Sequence, residues 1–154
     1  MKIFIMRHGE AEHIASSDAQ RALTERGQSD SIAVARACNE QGANAFDRVF
    51  VSSYLRAQQT WQAITPYFEA KQVDTSDDIT PYGDSEQVYA YLKAVSEVEQ
   101  LDSVLVVSHL PLVGYLTAEF VAEMAPPMFP TSGLTCIEFD IDSERGQILW
   151  TLNP

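Results

Sequence analysis

The stretch Ile3–Glu10 reads IFIMRHGE and joins a short apolar run directly to charged and polar residues. Four consecutive apolar residues predict a strand that is buried on both faces, as in a parallel sheet. The polar residues that follow then lie at the carboxyl end of that strand, where open α/β sheets bind their ligands. The residues after each further buried strand are therefore the first candidates for a functional site.

Strands and helices alternate along most of the chain. Two more apolar runs predict buried strands at Val49–Val51 and Val104–Val107, and Gln72–Thr75 is a weaker candidate for an edge strand. Helical spacing predicts four helices: from about Thr24 to Gln41, from Ala57 to near Pro66, from Asp84 or Ser85 through Val95, and from Pro111 to about Glu123. Alternating strands and helices of this kind predict a parallel sheet covered by helices.

The C-terminal segment has a different pattern. Apolar and polar residues alternate over 137–142 and again over 148–152, and a turn over 143–146 separates the two runs. This pattern predicts an antiparallel β-hairpin with one buried face. The expected fold is α/β in three layers: a mostly parallel sheet, helices on both of its faces and a C-terminal antiparallel hairpin. At about 150 residues per domain, residues 1–154 are expected to form a single domain.

Composition and charge exclude several classes of function. The 154 residues include 22 Asp or Glu and 10 Lys or Arg, a formal net charge of −12, which argues against nucleic acids and anionic membranes as partners. No apolar run approaches the roughly 20 residues of a membrane span, and the N-terminus lacks the features of a signal peptide. Cys38 and Cys136 lie within apolar patterns, so we expect buried thiols in a reducing cytoplasm and no zinc site. No long apolar stripe is left over, so a monomer is expected.

The residues that follow the three buried strands share one chemistry. Arg7 and His8 follow the first strand, Arg56 comes shortly after the second, and His109 follows the third. Two guanidinium groups and two imidazoles at one sheet edge predict a small cationic pocket, and its natural ligand is a phosphoryl group. A neutral imidazole is also a competent phosphoryl nucleophile. Gly9, directly after His8, would let the backbone approach the ligand.

Taken one at a time, these residues have simpler interpretations. A single histidine is more often a surface or core residue than a catalyst, Arg7 could pair with Glu10, and Arg56 could be an ordinary residue on a helix surface. His13 lies in a polar loop and is expected to be a bystander. The functional hypothesis is favoured because all four candidates fall at strand ends that share one edge of the sheet.

Four segments give the sequence a family resemblance. The segments RHGE at 7–10, LTERG at 23–27, SSYLRAQQT at 52–60 and VSH at 107–109 resemble, in order and spacing, the motifs of the histidine phosphatase (phosphoglycerate mutase-like) superfamily. The ordered set is far more specific than RHG alone. The sugar-phosphate mutases of that superfamily are much longer, and the short chain and the stretch DAQRALT at 18–24 resemble the small SixA-type phosphohistidine phosphatases.

The resemblance implies a role for each candidate residue. His8 would be the nucleophile and become transiently phosphorylated, while Arg7, Arg56 and His109 would hold the phosphoryl oxygens. Arg21 is a weaker candidate for the same phosphate site. The substrate would be a protein that bears phosphohistidine, either a phosphorelay domain or a phosphotransferase-system carrier, and the reaction would need no metal or other cofactor.

One part of the family pattern has no secure counterpart. Longer members have an acidic residue that protonates a leaving alkoxide, and here only Asp84 and Glu86 are candidates for it. Both residues also suit the start of a helix, and that interpretation is preferred. An imidazole leaving group has a pKa of about 6.5 and departs without such an acid, which favours phosphohistidine over alkyl phosphates as the substrate.

Three other functions remain as alternatives. One is a phosphatase or mutase that acts on small phosphoesters, and another is a phosphate-binding module without catalysis. Retention of both histidines and both arginines argues against a binding module, because binding alone needs no nucleophile. A phosphatase that uses divalent metals is the third, and it is disfavoured because no cluster of carboxylates follows the predicted strands.

Overall fold

A single six-stranded sheet organises the protein, whose computed structural model describes residues 1–154. The strands lie in the order β3-β2-β4-β1-β5-β6 across the sheet. Their bounds are β1 Lys2–Arg7, β2 Ala45–Ser52, β3 Glu69–Ser76, β4 Ser103–Ser108, β5 Leu134–Asp140 and β6 Arg145–Leu152. Each predicted strand is present, and β1 to β4 and β6 extend beyond the runs that predicted them. The hairpin differs in its bounds: β5 begins at Leu134 and ends at Asp140, before Ile141, and β6 begins at Arg145, within the predicted turn.

The pairing of the strands is mixed, as the sequence predicts. The β3–β2, β2–β4 and β4–β1 pairs are parallel, whereas β1–β5 and β5–β6 are antiparallel. In the parallel part Arg7 pairs with Ser108, and Val51 pairs with Val107. The carboxyl ends of β1, β2 and β4 therefore lie side by side at one edge of the sheet.

Four helices cover the two faces of the sheet. They are α1 Glu25–Glu40, α2 Leu55–Ile64, α3 Ser85–Glu99 and α4 Leu112–Phe120. One core contains residues of α1 and α2, such as Val34 and Trp61, and the other contains residues of α3 and α4, such as Leu92 and Leu116. Strand β1 contributes Phe4 and Met6 to the first core and Ile3 and Ile5 to the second, as expected for a strand that is buried on both faces.

The helix starts follow from local chemistry. The Thr24 side chain accepts a hydrogen bond from the Gly27 N–H, and the Asp84 carboxylate accepts from the N–H groups of Glu86 and Gln87. Caps of this kind stabilise a helix by about 1 kcal/mol, because they satisfy N–H groups that have no partner within the helix. Gly42, just after α1, has a φ of +90°, as expected of a helix stop.

The predicted end of α4 at Glu123 is wrong by about one turn. The helix ends at Phe120, and Val121 already has extended backbone angles. Glu123 itself has a positive φ, which no α-helical residue has. A stretch without regular structure then follows Val121 up to β5, and it contains Pro126, Pro127 and Pro130.

Both cysteines are buried free thiols, in agreement with the sequence analysis. Burial, which disfavours the thiolate, raises the pKa of Cys38 to about 12 and that of Cys136 to about 11. None of the helices has both the length and the apolar character that crossing a bilayer requires.

Candidate active site

Three neighbouring strand ends bring the predicted residues together. His8 follows β1 and His109 follows β4, and the centroids of their rings are 5.0 Å apart. Arg56 lies in the first turn of α2, which begins shortly after β2, and its Nε–H donates to His8 Nε2 at 3.4 Å. Each of these three side chains is more than 90 % buried. The prediction that they share one edge of the sheet is confirmed.

The hydrogen bonds of His8 define which of its nitrogens can react. Its Nδ1 lies 2.7 Å from the carbonyl oxygen of Gly9, and because a carbonyl only accepts, Nδ1 carries the proton. The lone pair of the neutral ring is then on Nε2, the nitrogen that faces Arg56. The unprotonated nitrogen of His8 is thus directed at the Arg56 guanidinium.

His8 is neutral at physiological pH. Its burial lowers its pKa to about 4, aided by the positive charges of Arg56, Arg7 and Arg21, and the bond to the Gly9 carbonyl only partly opposes this. Burial, with the charges of neighbouring groups, also lowers the pKa of His109 far below its usual value. The surroundings therefore hold His8 in the neutral form, which is the form in which an imidazole can attack phosphorus.

The two arginines lie close enough to repel each other. Burial and the positive charge of Arg56 both lower the pKa of Arg7. Arg7 donates from Nη1 to the carbonyl of Phe129 at 2.9 Å, whereas its buried Nε has no protein partner. Two nearby guanidinium groups, one of which has a buried N–H without a protein partner, form a site suited to an anion that accepts several hydrogen bonds.

Asp18 binds two arginine side chains, those of Arg56 and Arg21. Arg56 donates to the Asp18 carbonyl at 2.7 Å and to its carboxylate at 3.2 Å, and Arg21 donates to the same carboxylate at 3.1 Å. Burial alone would raise the pKa of Asp18, but hydrogen bonds and charge from Arg21 and Arg56 outweigh it, so the pKa is lowered. Asp18 is therefore an ionised carboxylate that orients Arg56 and holds Arg21 beside the site.

His109 is held by a second side chain that sequence reasoning did not single out. His109 Nε2 lies 2.7 Å from Ser52 Oγ, and both side chains are buried. The Tyr54 ring packs edge-on against His109, with 5.2 Å between centroids, and the Arg56 guanidinium lies over the Tyr54 ring at 5.1 Å. The end of β2 and the start of α2 thus fix the position of His109.

Packing within the protein also requires a glycine at position 9. A Cβ at this position would lie 2.6 Å from the carbonyl oxygen of Gly27 in α1, a constraint separate from the expected approach of the backbone to a ligand. The Gly9 N–H donates to Thr60 Oγ1 at 3.0 Å, and Thr60 in turn donates to the Arg56 carbonyl. Gly9 therefore allows the loop after His8 to pack between α1 and α2.

The remaining candidates lie outside this cluster. Asp84 is the N-cap of α3 and Glu86 is an exposed residue of its first turn, in agreement with the preferred interpretation of both as helix-start residues. His13 is exposed, as expected of a bystander. The residues that sequence analysis missed are Asp18 and Ser52, and the one available signal was that Ser52 is the first polar residue after a buried strand.

A cavity of about 740 Å³ lies apart from this cluster. It lies beside α3 and strands β2 and β3, and its lining includes Phe50, Asp74, Tyr82 and Tyr91 but none of the four predicted site residues. No group of three or more His, Cys, Asp or Glu side chains is arranged to hold a metal ion.

The low pKa of His8 predicts how the fold responds to acid. Between pH of about 6.5 and about 4 the unfolded chain binds a proton at His8 that the folded chain does not bind. The free energy of unfolding should therefore fall as the pH decreases through this range, and less steeply in a His8→Ala variant. Denaturant unfolding at several pH values measures the slope. An NMR titration in which His8 had a midpoint near 6.5 would contradict the prediction.

Comparisons with known proteins support one family. Residues 3–86 match the model of the histidine phosphatase superfamily (branch 1). Phosphohistidine phosphatase SixA of Escherichia coli (strain K12) is 41% identical over 155 residues, covering 100% of this chain and 94% of the relative. The phosphohistidine phosphatase SixA homolog of Haemophilus influenzae is 39% identical, covering 97% of this chain and 93% of the relative.

A solved structure agrees with the sequence relatives. The structure of the protein histidine phosphatase SixA complexed with tungstate matches with a TM-score of 0.93 and 41% identity, covering 100% of this chain and 97% of that one. The family model spans more than half of the chain, and the full-length relatives extend the match to both ends. The chain therefore belongs to the histidine phosphatase superfamily.

Proposed function

We propose that this protein is a phosphohistidine phosphatase, which removes phosphate from a protein that bears phosphohistidine through a covalent phospho-His8 intermediate. The observation that carries the proposal is the geometry of His8, whose unprotonated Nε2 faces Arg56 while Nδ1 donates to the Gly9 carbonyl. The 41% identity to phosphohistidine phosphatase SixA supports the same activity. The tungstate complex of a SixA structure supports an oxyanion site, because tungstate is tetrahedral, as phosphate is.

In the first step His8 Nε2 attacks phosphorus. The lone pair of Nε2 forms the new N–P bond while the substrate's N–P bond breaks, and that electron pair returns to the substrate's imidazole. A substrate ring protonated on its other nitrogen leaves as neutral imidazole. Arg7 and Arg56, with His109, donate hydrogen bonds to the phosphoryl oxygens and stabilise the charge on them in the transition state. Arg21, held beside the site by Asp18, adds positive charge.

In the second step water attacks the phosphorus of phospho-His8. The N–P bond breaks, its electron pair returns to Nε2, and the water proton passes to the phosphate product or to solvent. The proton on Nδ1 stays in place because it is hydrogen-bonded to the Gly9 carbonyl in both steps. His8 therefore leaves as neutral imidazole, by the same leaving-group chemistry as the substrate, and no carboxylic acid is required.

The leaving-group argument predicts that Asp84→Asn and Glu86→Gln barely alter phosphohistidine hydrolysis. A general acid typically contributes about 10²–10⁴-fold where it is needed, so each variant should remain within about threefold of the parent. Turnover measured on a phosphohistidine protein and on an alkyl phosphate checks this, and the alkyl phosphate should be a poor substrate for all three proteins. A hundredfold loss on phosphohistidine in a folded variant would identify a true proton donor.

The surroundings of the site fit a protein substrate. Ile14, Tyr82 and Met128 are 92%, 82% and 82% exposed, and each lies on a loop at the edge where β1, β3 and β4 end and β5 begins. Hydrogen bonds hold each of these three loops against the strand ends. In the loop of Ile14, the Asp18 carbonyl accepts from Arg56; in the loop of Tyr82, the Ile79 carbonyl accepts from Ser108; and in the loop of Met128, the Phe129 carbonyl accepts from Arg7. We propose that these three side chains contact an apolar surface around the partner's phosphohistidine.

Replacing Ile14 and Met128 by Ser is expected to raise KM for a phosphohistidine protein by about three- to tenfold each, the equivalent of about 1 kcal/mol of binding. Hydrolysis of phosphoramidate, which has no protein surface, should not change. Val98→Ser is the matched control, since Val98 is 83% exposed near the end of α3 that leads to the opposite sheet edge. Equal effects of all three substitutions would contradict the proposed contact surface.

A panel of substrates tests the proposed function. The parent protein is incubated with phosphorelay domains and phosphotransferase-system carriers that bear phosphohistidine, and the loss of phosphate from each is measured beside hydrolysis of a sugar phosphate. We expect dephosphorylation of at least one phosphohistidine protein at a kcat/KM well above that for the sugar phosphate. A preference for the sugar phosphate would favour the small-phosphoester alternative, and binding of phosphate without any turnover would favour a binding module.

A further inference from the structure

We propose that the Ser52 hydroxyl is a positioning group that holds the proton of His109 on Nδ1, so that His109 acts as a neutral hydrogen-bond donor to the phosphoryl group. This inference rests on the proposed function for the identity of the acceptor, but the position of the proton is a property of the protein alone. Three observations support it: the partners of Ser52, the unpaired nitrogen of His109, and the charges around that ring.

The partners of Ser52 determine where its proton goes. Ser52 Oγ accepts a hydrogen bond from the Tyr54 N–H at 3.2 Å and lies 2.7 Å from His109 Nε2. Ser52 is fully buried, so its own O–H needs an acceptor within the protein, and Nε2 is the acceptor that the structure provides. The opposite arrangement, with Nε2–H donating to Ser52, would leave the buried hydroxyl proton without a partner.

With Nε2 occupied as an acceptor, the ring proton lies on Nδ1. His109 Nδ1 is buried and has no hydrogen-bond partner in the protein. The groups whose charges act on the His109 ring are His8, Arg56 and Arg7, which are the groups of the proposed phosphoryl site. An N–H at this position can donate to a phosphoryl oxygen, whereas a bare lone pair there would repel it.

A neutral donor suits a site that already holds two arginines. A third full positive charge beside Arg7 and Arg56 would be repelled by both, whereas a neutral N–H adds a donor without that repulsion. Ser52 thus lets His109 serve as an electrophilic group while it remains uncharged. The hydroxyl does not touch the substrate, so Ser52 acts through His109 rather than as a catalytic residue.

Nitrogen NMR of the histidine rings tests the inference directly. The chain has three histidines, so ¹⁵N-histidine labelling gives three rings, which His8→Ala and His13→Ala variants assign. In the parent we expect His109 to show a protonated Nδ1 and an unprotonated Nε2. In Ser52→Ala this pattern should be lost, and turnover of a phosphohistidine protein should fall about ten- to a hundredfold, the usual cost of removing a group that orients a site residue.

Ser96→Ala is the matched control. Ser96 is also a buried serine, but it lies in α3 near Val98 and its hydroxyl has no hydrogen-bond partner in the protein, so this variant should leave the His109 ring signals and the turnover near those of the parent. A proton on Nε2 in the parent, or an unchanged His109 pattern in Ser52→Ala, would overturn the inference. So would a changed pattern without loss of turnover. Failure of the parent to hydrolyse phosphohistidine would count against the proposed function while leaving the ring signals interpretable.

Discussion

Replacing His8 by Ala is expected to abolish turnover, with a loss of at least about 10⁴-fold, because the variant has no nitrogen to form the covalent intermediate. The fold should persist, since the His8 side chain follows β1 rather than belonging to either apolar core. Turnover of a phosphohistidine protein and the circular dichroism spectrum measure the two outcomes.

The covalent step has its own measurement. After incubation with a labelled phosphodonor, the parent should carry an acid-labile label on His8, and His8→Ala should carry none. His13→Ala serves as the matched control, because it removes an exposed histidine five residues further along and should behave as the parent does. Hydrolysis near the parent rate in a folded His8→Ala variant would exclude the covalent mechanism.

Arg56→Ala is expected to lower kcat/KM by about 10²–10³-fold, the usual cost of removing a donor that stabilises charge in the transition state. Arg56 contacts His8 and Asp18 together, so its loss also releases the loop that carries Asp18. His109→Ala should have an effect of the same order. Steady-state kinetics on a phosphohistidine protein gives the size of each effect.

Inhibition by vanadate shows whether these losses arise at an anion site. Vanadate should inhibit the parent competitively and inhibit Arg56→Ala and His109→Ala much less, because an oxyanion bound there loses a donor in each variant. Arg36→Ala, which removes an exposed arginine of α1, should keep both the activity and the inhibition of the parent. Equal vanadate inhibition in Arg56→Ala and the parent would place the anion site elsewhere.

The site combines two opposed electrostatic effects. Arg7 and Arg56 lie close together at a cost, since the charge of Arg56 lowers the pKa of Arg7, and an incoming oxyanion relieves that repulsion. Burial, with the charges of the same arginines, keeps His8 neutral, the form that the proposed covalent step requires. The Asp18 carboxylate offsets part of the positive charge of Arg56 through a hydrogen bond, and it makes no hydrogen bond to His8. One arrangement of charges thus suits both functions proposed for the site, anion binding and activation of the nucleophile.

Local sequence determined most of the helices and strands and the positions of the four candidate site residues. A short run of consecutive apolar residues predicts a strand that is buried on both faces of the sheet. The polar residues that follow the run then lie at or near the carboxyl end of that strand. Parallel pairing then places Arg7 beside Ser108 and Val51 beside Val107 without any further information. The edge at which His8, Arg56 and His109 meet was predictable for this reason. The end of α4 was not, because the apolar pattern continues past the residue at which the backbone leaves the helix.

Only the tertiary structure decided which nitrogen of His8 is unprotonated and which groups orient the candidate residues. Asp18 and Arg56 are 38 residues apart in the chain, and Ser52 and His109 are 57 apart, yet each pair meets within hydrogen-bond distance. A hydrogen bond acts over about 3 Å, so its partners depend on how distant segments pack rather than on the neighbouring sequence. Burial likewise exists only in the folded chain. The proton on His8 Nδ1, its low pKa and the pairing of His109 with Ser52 are therefore properties of the fold.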